Sequence, residues 1–150
     1  MCDKHIVKMP LETAQMMWAA LHRHDEKLIE LKPEEGPLSE VFYGATHKHH
    51  PCTIWCGDSR DNFLWLYKHG LALCKEYSLR YHKKHKSYKA IKLAYSYREK
   101  IPEGGITDFA QAMPVEYKVV GNPVKAYRDY YMGEKRPFAT WRFETPHWWR

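Results

Sequence analysis

The sequence lacks long apolar runs, a cysteine framework and the common enzyme motifs. No stretch approaches the ~20 apolar residues of a membrane span, and no signal peptide opens the chain, so we expect a cytoplasmic protein without membrane contact. The four cysteines of an intracellular chain are expected to be thiols or metal ligands rather than disulfides. G-x-S-x-G, the P-loop and the dinucleotide fingerprint are absent. No standard catalytic or nucleotide-binding motif therefore indicates an activity.

The chain is rich in basic and aromatic residues instead. Its 150 residues carry a formal charge of +6, and 15% of them are aromatic. The length suits one hydrophobic core, so we predict a single helical domain over 1–150 that acts as a monomer. Cationic side chains favour polyanionic partners, and aromatic rings can stack on bases. The composition favours a nucleic acid partner.

One long helix is predicted over 58–82 as the central element of an all-α fold. Apolar residues recur there at helical spacing, Asp58 and Ser59 can cap its start, and no segment alternates as a strand does. A polar stripe lies about a quarter-turn from the apolar face. It is either a solvated face with one ordinary ion pair or the wall of a binding groove, and it consists of Asn62, His69, Glu76 and Arg80.

Other segments are predicted around this helix. A first helix covers 2–24, although Pro10 must start, kink or split it, and a short helix follows at 25–31. Residues 41–56 are too irregular to assign. Further predictions, in chain order, are a helix over 87–99, a wrapping segment over 101–120 with a single turn at 107–113, a helix from Pro123 to a stop at Gly133, and an extended aromatic strap over 135–150.

His5 and Glu12 are the candidate catalytic residues. They are seven positions apart, so a helix places them on nearly the same face, with Lys4 and Lys8 close by. A carboxylate among cations is held ionised and can act as a base or stabilise a cation. Taken alone, the spacing favours a surface coincidence.

Three segments resemble the phage-type pyrimidine-dimer DNA glycosylases (endonuclease V). CDKHIVKMPLET is similar to that family's first helix, in which the catalytic glutamate follows a D-x-H motif by seven residues; the matching positions are Asp3, His5 and Glu12. H-H-P before the long helix, with E-x-x-x-R at Glu76 and Arg80, is similar to the central segment, and YRDYYMGEK to the aromatic and basic tail. Nearly the whole chain also resembles uncharacterised phage proteins with CDKHVVKM, THKNHP and EYxxRY motifs.

The resemblance implies a mechanism in which the enzyme kinks DNA and moves a base out of the stack. A free α-amine attacks C1′ of the damaged nucleotide to form a Schiff base. Glu12 would stabilise the charged intermediate and assist elimination of the 3′ phosphate, with His5 beside it. The family's threonine nucleophile has no counterpart before Asp3, so the amine is expected to be N-terminal or a lysine, with Lys4 and Lys8 nearest Glu12.

These arguments give one set of predicted nucleic-acid contacts and two rival functions. The contacts are Lys4, Lys8, His47, His50, Arg60, Asn62, Arg80, His85, Lys86, Tyr127, Arg128, Tyr131 and Lys135. The main hypothesis is a duplex-DNA glycosylase and lyase acting in a bacterial host cell, without a cofactor. The rivals are a non-catalytic module that binds nucleic acid or a nucleotide, and an enzyme of free nucleotides.

A dense group of histidines and cysteines over 47–56 raises the question of a metal. Zinc is bound by such side chains in tetrahedral sites. The C-x3-C spacing of Cys52 and Cys56 is unusual, and no second C-x2-C pair exists. We therefore predict no stoichiometric zinc and expect the histidines to cap helices or contact phosphate.

Overall fold

The computed structural model describes residues 1–149 and contains no strand among them, which confirms the all-α prediction. Five α-helices carry the fold, and short 3₁₀ helices lie at Glu26–Leu31, Arg98–Lys100 and Val115–Tyr117. The α-helices are α1 (Asp3–His24), α2 (Pro51–Asp58), α3 (Arg60–Tyr81), α4 (Tyr88–Ser96) and α5 (Pro123–Glu134). No helix in this part of the chain is long and apolar enough to cross a membrane.

The long central helix is present as predicted. The Ser59 side chain accepts a hydrogen bond from the Asn62 amide and caps its start, while His82 ends it in the left-handed conformation with φ of 54°. Gly70 permits a close approach to α1 and α4, because a Cβ there would lie 2.7 Å from Thr13 Cγ2 and 3.2 Å from Ile91 Cδ1. Helix α3 therefore packs directly against α1 and α4.

Helix α1 runs without interruption through Pro10, which is buried within it. Its second half supplies much of the core, with Trp18, Met17 and Leu21 fully buried. The Trp18 indole nitrogen donates to the Ala90 carbonyl of α4 at 3.1 Å. The first half of the helix projects toward the chain's C-terminal region, where the Asp3 amide donates to the Thr140 carbonyl at 2.8 Å.

Three elements differ from the sequence-based expectation. Helix α2 falls in the unassigned segment and is capped by the His50 ring, with Pro51 in its first turn. The turn expected at 107–113 is absent. Instead, the Asn62 side chain holds Thr107 by two hydrogen bonds: its Nδ2 donates to Thr107 Oγ1 at 2.8 Å, and its Oδ1 accepts the Thr107 backbone amide at 3.0 Å. Helix α5 continues through Gly133 to Glu134.

Candidate active site

A pocket of about 360 Å³ lies between the first half of α1, the loop before α2 and the inner face of α5. It brings together eight of the fifteen predicted site residues, separated by up to 130 positions. Its walls are formed by Met1, His5, Lys8, Met9, Glu12, Met16, His47, His50, Cys52, Ala112, Tyr127, Tyr130, Tyr131 and Lys135. The chemical groups it combines are a carboxylate, amines, imidazoles and phenols.

Helix α1 presents His5, Lys8 and Glu12 to this pocket at the i, i+3 and i+7 positions. The Lys8 ammonium lies 2.8 Å from Glu12 Oε1, and this bond raises the pKa of Lys8. The Lys4 ammonium instead lies over the Phe138 ring, 4.6 Å from its centroid, and does not line the pocket. Of the two lysines expected nearest Glu12, only Lys8 pairs with it.

The Tyr131 hydroxyl on α5 connects the start of α1 to the pocket. It accepts the Cys2 amide at 2.9 Å, donates to Cys2 Sγ at 3.2 Å and lies 2.7 Å from His5 Nδ1. Burial lowers the pKa of His5, and the neighbouring charges of Lys135 and Lys8 lower it further. Burial also raises the pKa of Tyr131, so the phenol stays protonated at neutral pH.

The opposite wall comes from the loop before α2 and from Tyr127. His47 has a positive φ of 53°, and the His50 Nδ1 atom accepts the Cys52 amide at 3.1 Å. The Tyr127 hydroxyl donates to the Ala110 carbonyl at 2.8 Å and accepts the Ala112 amide at 3.2 Å. Tyr127 thereby fixes the 110–112 segment as one edge of the pocket.

Cations pair with aromatic rings on and next to α5, and of these Lys135 and Tyr130 line the pocket. The Lys135 ammonium lies 4.3 Å from the Tyr130 ring centroid and donates to the Tyr130 hydroxyl at 3.0 Å. The Arg128 guanidinium lies 5.6 Å from the Trp148 ring centroid. Such pairs hold positive charge beside flat apolar surfaces, which suits phosphates and bases together.

Arg80 is placed inside the fold and does not line the pocket, although it contacts Met1 at the pocket's edge. It is 8% exposed, and its guanidinium bonds to Glu76 at 2.7 Å, to Asp3 at 2.9 Å and to the Met1 carbonyl at 3.2 Å. The predicted pairing of Glu76 with Arg80 is confirmed. The Nε and Nη1 donors are used in this way, so little of Arg80 remains for a phosphate.

The other members of the polar stripe also lie outside the pocket. Asn62 is fully buried, and its amide donates to the Trp55 carbonyl at 2.8 Å. The His69 ring stacks on Trp65 with centroids 5.0 Å apart, and burial lowers its pKa. The expectation that His5 and Glu12 share a cleft with this stripe is therefore wrong, because none of its four residues lines the pocket and the buried Asn62 and Arg80 use their polar groups between helices.

Arg60, His85 and Lys86 are three further predicted contacts that do not line the pocket. Arg60 donates to the Ile101 carbonyl and pairs with Glu99 at 3.0 Å, which fastens the start of α3 to the following segment. His85 uses both ring nitrogens, since Nδ1 accepts the Ser87 amide at 3.1 Å and Nε2 donates to the Val7 carbonyl at 2.9 Å. Lys86 is exposed at the start of the α4 region.

The histidines and cysteines before and within α2 do not converge. Within residues 1–149, no group of three His, Cys, Asp or Glu side chains is placed to hold a metal ion. Cys56 is buried, and burial raises its pKa, so the thiol is protonated. The absence of stoichiometric zinc stays a prediction for elemental analysis.

A larger cleft of about 720 Å³ lies on the other side of the same loop. It is lined by the second half of α1 and by residues that include Lys48, His49 and Thr53. None of the residues with a catalytic prediction reaches it. The smaller pocket is therefore the candidate active site.

The sequence comparisons show the family to which the chain belongs. The model of the pyrimidine dimer DNA glycosylase family matches residues 1–89, which is more than half of the chain. The chain belongs to this family. No curated protein and no solved structure matches it. The family match contains α1 to α3, and with them His5, Glu12 and His50, whereas the α5 wall lies outside it.

Several pocket residues were not predicted from the sequence. Cys52 and Tyr130 line the pocket beside predicted neighbours, and Met1, Met9 and Met16 form its apolar surface. Helical spacing could have suggested only Met9 and Met16, because they follow His5 by about one and three turns of α1. Met1, Cys52 and Tyr130 reach the pocket through contacts between distant segments.

Proposed function

We propose that this member of the family is a DNA glycosylase with abasic-site lyase activity that removes damaged or modified bases from duplex DNA. The chemistry takes place in the pocket that contains His5 and Glu12. The observation that carries the proposal is the meeting of one carboxylate with several amines in a cavity bordered by cations and aromatic rings.

The reaction needs an unprotonated amine next to a carboxylate. Lys8 and Lys135 supply side-chain amines, and Met1 lines the same pocket. Glu12 raises the pKa of Lys8 and so disfavours its unprotonated form. Burial lowers the pKa of the Met1 amino group, and the charge of Arg80 lowers it further. On these grounds, an N-terminal amine at this place is favoured over Lys8 as the nucleophile.

Glu12 acts on the positive charge that develops at C1′ and persists in the Schiff base. A carboxylate fixed by its bond to Lys8 needs little reorganisation when that charge forms. Lys135 offers a charge in the pocket for a phosphate that flanks an extruded nucleotide, and Tyr130 offers a face for stacking. Arg128 and Trp148 form a second pair of this kind outside the pocket lining. The pocket thus supplies separate groups for binding and for catalysis.

Borohydride reduction tests the reaction itself. Incubation with duplex DNA that contains an abasic site, followed by reduction, is expected to give a covalent protein–DNA adduct. Peptide mapping then identifies the attacking amine among Met1, Lys8 and Lys135. The same measurement with a pyrimidine-dimer duplex tests base removal.

Replacing Glu12 tests the role of the carboxylate. Glu12→Gln is expected to lower strand cleavage by at least about 100-fold, because it removes the charge that stabilises the intermediate. DNA affinity should stay within a few-fold, since binding is dominated by phosphate contacts. Glu116→Gln, at an exposed position outside the pocket, is the matched control.

The alternative is a module that binds nucleic acid or a nucleotide without catalysis. Binding to duplex DNA with neither adduct nor cleavage on either substrate would favour that module. Steep loss of affinity with salt would then indicate duplex DNA, and a weak response would indicate a single nucleotide.

A further inference from the structure

We propose that two histidines on facing walls of the pocket are held in opposite tautomers, so that His5 presents a bare Nε2 and His50 presents an Nε2–H group. His5 is then a proton acceptor and His50 a hydrogen-bond donor. The tautomers follow from hydrogen bonds at each Nδ1 atom, and their use in a reaction rests on the proposed function.

The tautomer of His50 is fixed by the start of α2. Pro51 has no N–H, so the Cys52 amide is the first backbone donor of this helix, and it donates to His50 Nδ1 at 3.1 Å. A nitrogen that accepts a hydrogen bond carries no proton. The single proton of the neutral ring therefore sits on Nε2, which faces the pocket as a donor.

The tautomer of His5 is fixed by the three bonds at the Tyr131 hydroxyl. Its oxygen has one proton and two lone pairs. The proton is donated to Cys2 Sγ, and the Cys2 amide occupies one lone pair. With the hydroxyl proton directed at Cys2 Sγ, the contact of 2.7 Å with His5 Nδ1 uses the second lone pair, and we assign the imidazole proton to Nδ1 on this basis.

The charges around His5 favour the same tautomer. Lys8 and Lys135 line the pocket that the ring faces, and both lower the pKa of His5. A lone pair directed toward cations is electrostatically favoured over an N–H dipole in that position. Among described residues, no hydrogen bond to His5 Nε2 competes with a substrate.

The two rings would act at different ends of the elimination step. In the Schiff base of an abasic site, the C2′–H bond breaks and its proton passes to His5 Nε2. The electron pair of that bond forms the C2′=C3′ double bond, while the C3′–O bond breaks and its pair leaves on the phosphate. The His50 Nε2–H group donates to the departing phosphate. Tyr131 and Cys2 are positioning residues, because they act through His5.

Nitrogen-15 NMR of the imidazole rings of the whole protein tests the tautomers without any substrate. At neutral pH, His5 is expected to be protonated at Nδ1 and His50 at Nε2, with His5→Gln and His50→Gln used to assign the signals. Tyr131→Phe should change the His5 pattern and leave the His50 pattern intact. A wild-type His5 protonated at Nε2 would overturn the proposal.

Substitution of Cys2 gives a sharper test of the positioning. Cys2→Ala removes the acceptor of the Tyr131 proton, so that proton should turn to His5 Nδ1 and reverse the tautomer. Cys2→Ser keeps an acceptor and should keep the tautomer. An unchanged His5 spectrum in Cys2→Ala contradicts the inference, and Tyr131→Phe decides the question if Cys2→Ala does not fold.

Cleavage of abasic DNA provides the functional readout. The reversed tautomer in Cys2→Ala should lower the single-turnover cleavage rate by roughly 100-fold, as expected for loss of a general base, while DNA affinity changes less than about two-fold. Opposite tautomers in a protein that cleaves no DNA would refute the proposed function and leave the inference on tautomers standing.

Discussion

Asp3 and His5 stand two residues apart in the first turn of α1, and the structure uses them in opposite ways. The Asp3 carboxylate accepts from Arg80 at 2.9 Å and from the Arg142 amide at 3.2 Å, inside the contact between α1, α3 and the C-terminal strap. The His5 ring lies on the wall of the pocket, next to Lys8 and Glu12. One short polar motif therefore serves both stability and chemistry.

The difference follows from helix geometry and from what packs on each side. Residues two apart on a helix point in nearly opposite directions, because each step turns the chain by about 100°. On the Asp3 side, α3 and the strap close over the polar groups and pair them. On the His5 side, α5 and the loop before α2 stop short and leave a cavity. Substitutions of polar residues on the Asp3 side should then change the stability of the fold, and substitutions on the His5 side should change DNA binding or cleavage.

Arg80→Ala is expected to show the largest difference between an effect on stability and an effect on DNA binding. Removing one partner of a buried ion pair leaves Asp3 and Glu76 without compensation, which should lower the free energy of unfolding by about 3–5 kcal/mol. The dependence of DNA binding on salt should not change. Urea unfolding and a salt titration measure the two effects.

Arg98→Ala is the control for this change, because Arg98 belongs to a more exposed ion pair with Glu99. Its expected cost is below about 1 kcal/mol. If Arg80→Ala instead weakened DNA binding, reduced the salt dependence and left stability intact, Arg80 would be the phosphate contact that the sequence predicts.

A smaller effect of the opposite kind is expected from Lys135→Ala. Loss of one phosphate contact should weaken DNA binding several-fold and reduce the salt slope by about 1, while stability changes little. In the unaltered protein, the charge of Lys135 lowers the pKa of His5. Without that charge, the pKa of His5 should rise. Lys89→Ala, on the exposed surface of α4, should change neither quantity. Equal effects of the two substitutions would mean that the rim of the pocket has no special part in binding.

The smallest effect concerns the pH dependence of stability. The pKa of His69 lies below its ordinary value of 6.5, because burial disfavours the charged ring. As the pH falls below 6.5, the unfolded chain binds a proton that the folded protein resists, so stability is lost toward acidic pH. His69→Gln should flatten this loss between pH 7 and pH 5 in thermal unfolding. An unchanged slope would show that other groups control it.

The sequence by itself determined the helices that are long, periodic and capped. The long helix was predictable because Phe63, Leu66 and Tyr67 follow one face and Ser59 supplies a side-chain cap. Helix α2 could not be predicted, since it has eight residues and its cap is a histidine ring rather than a typical serine or aspartate. Gly133 looked like a stop, yet the helix continues to Glu134.

For the site, the sequence determined that His5, Lys8 and Glu12 share a helical face, because that relation depends on local geometry alone. Only the tertiary structure decided which polar groups stay open. Arg80 and Asn62 are as polar as Lys8 and His50, but they lie where helices meet, and a buried charge or amide there is stabilised by partners inside the fold. Tyr131 reaches His5 across 126 positions through packing that no local pattern encodes.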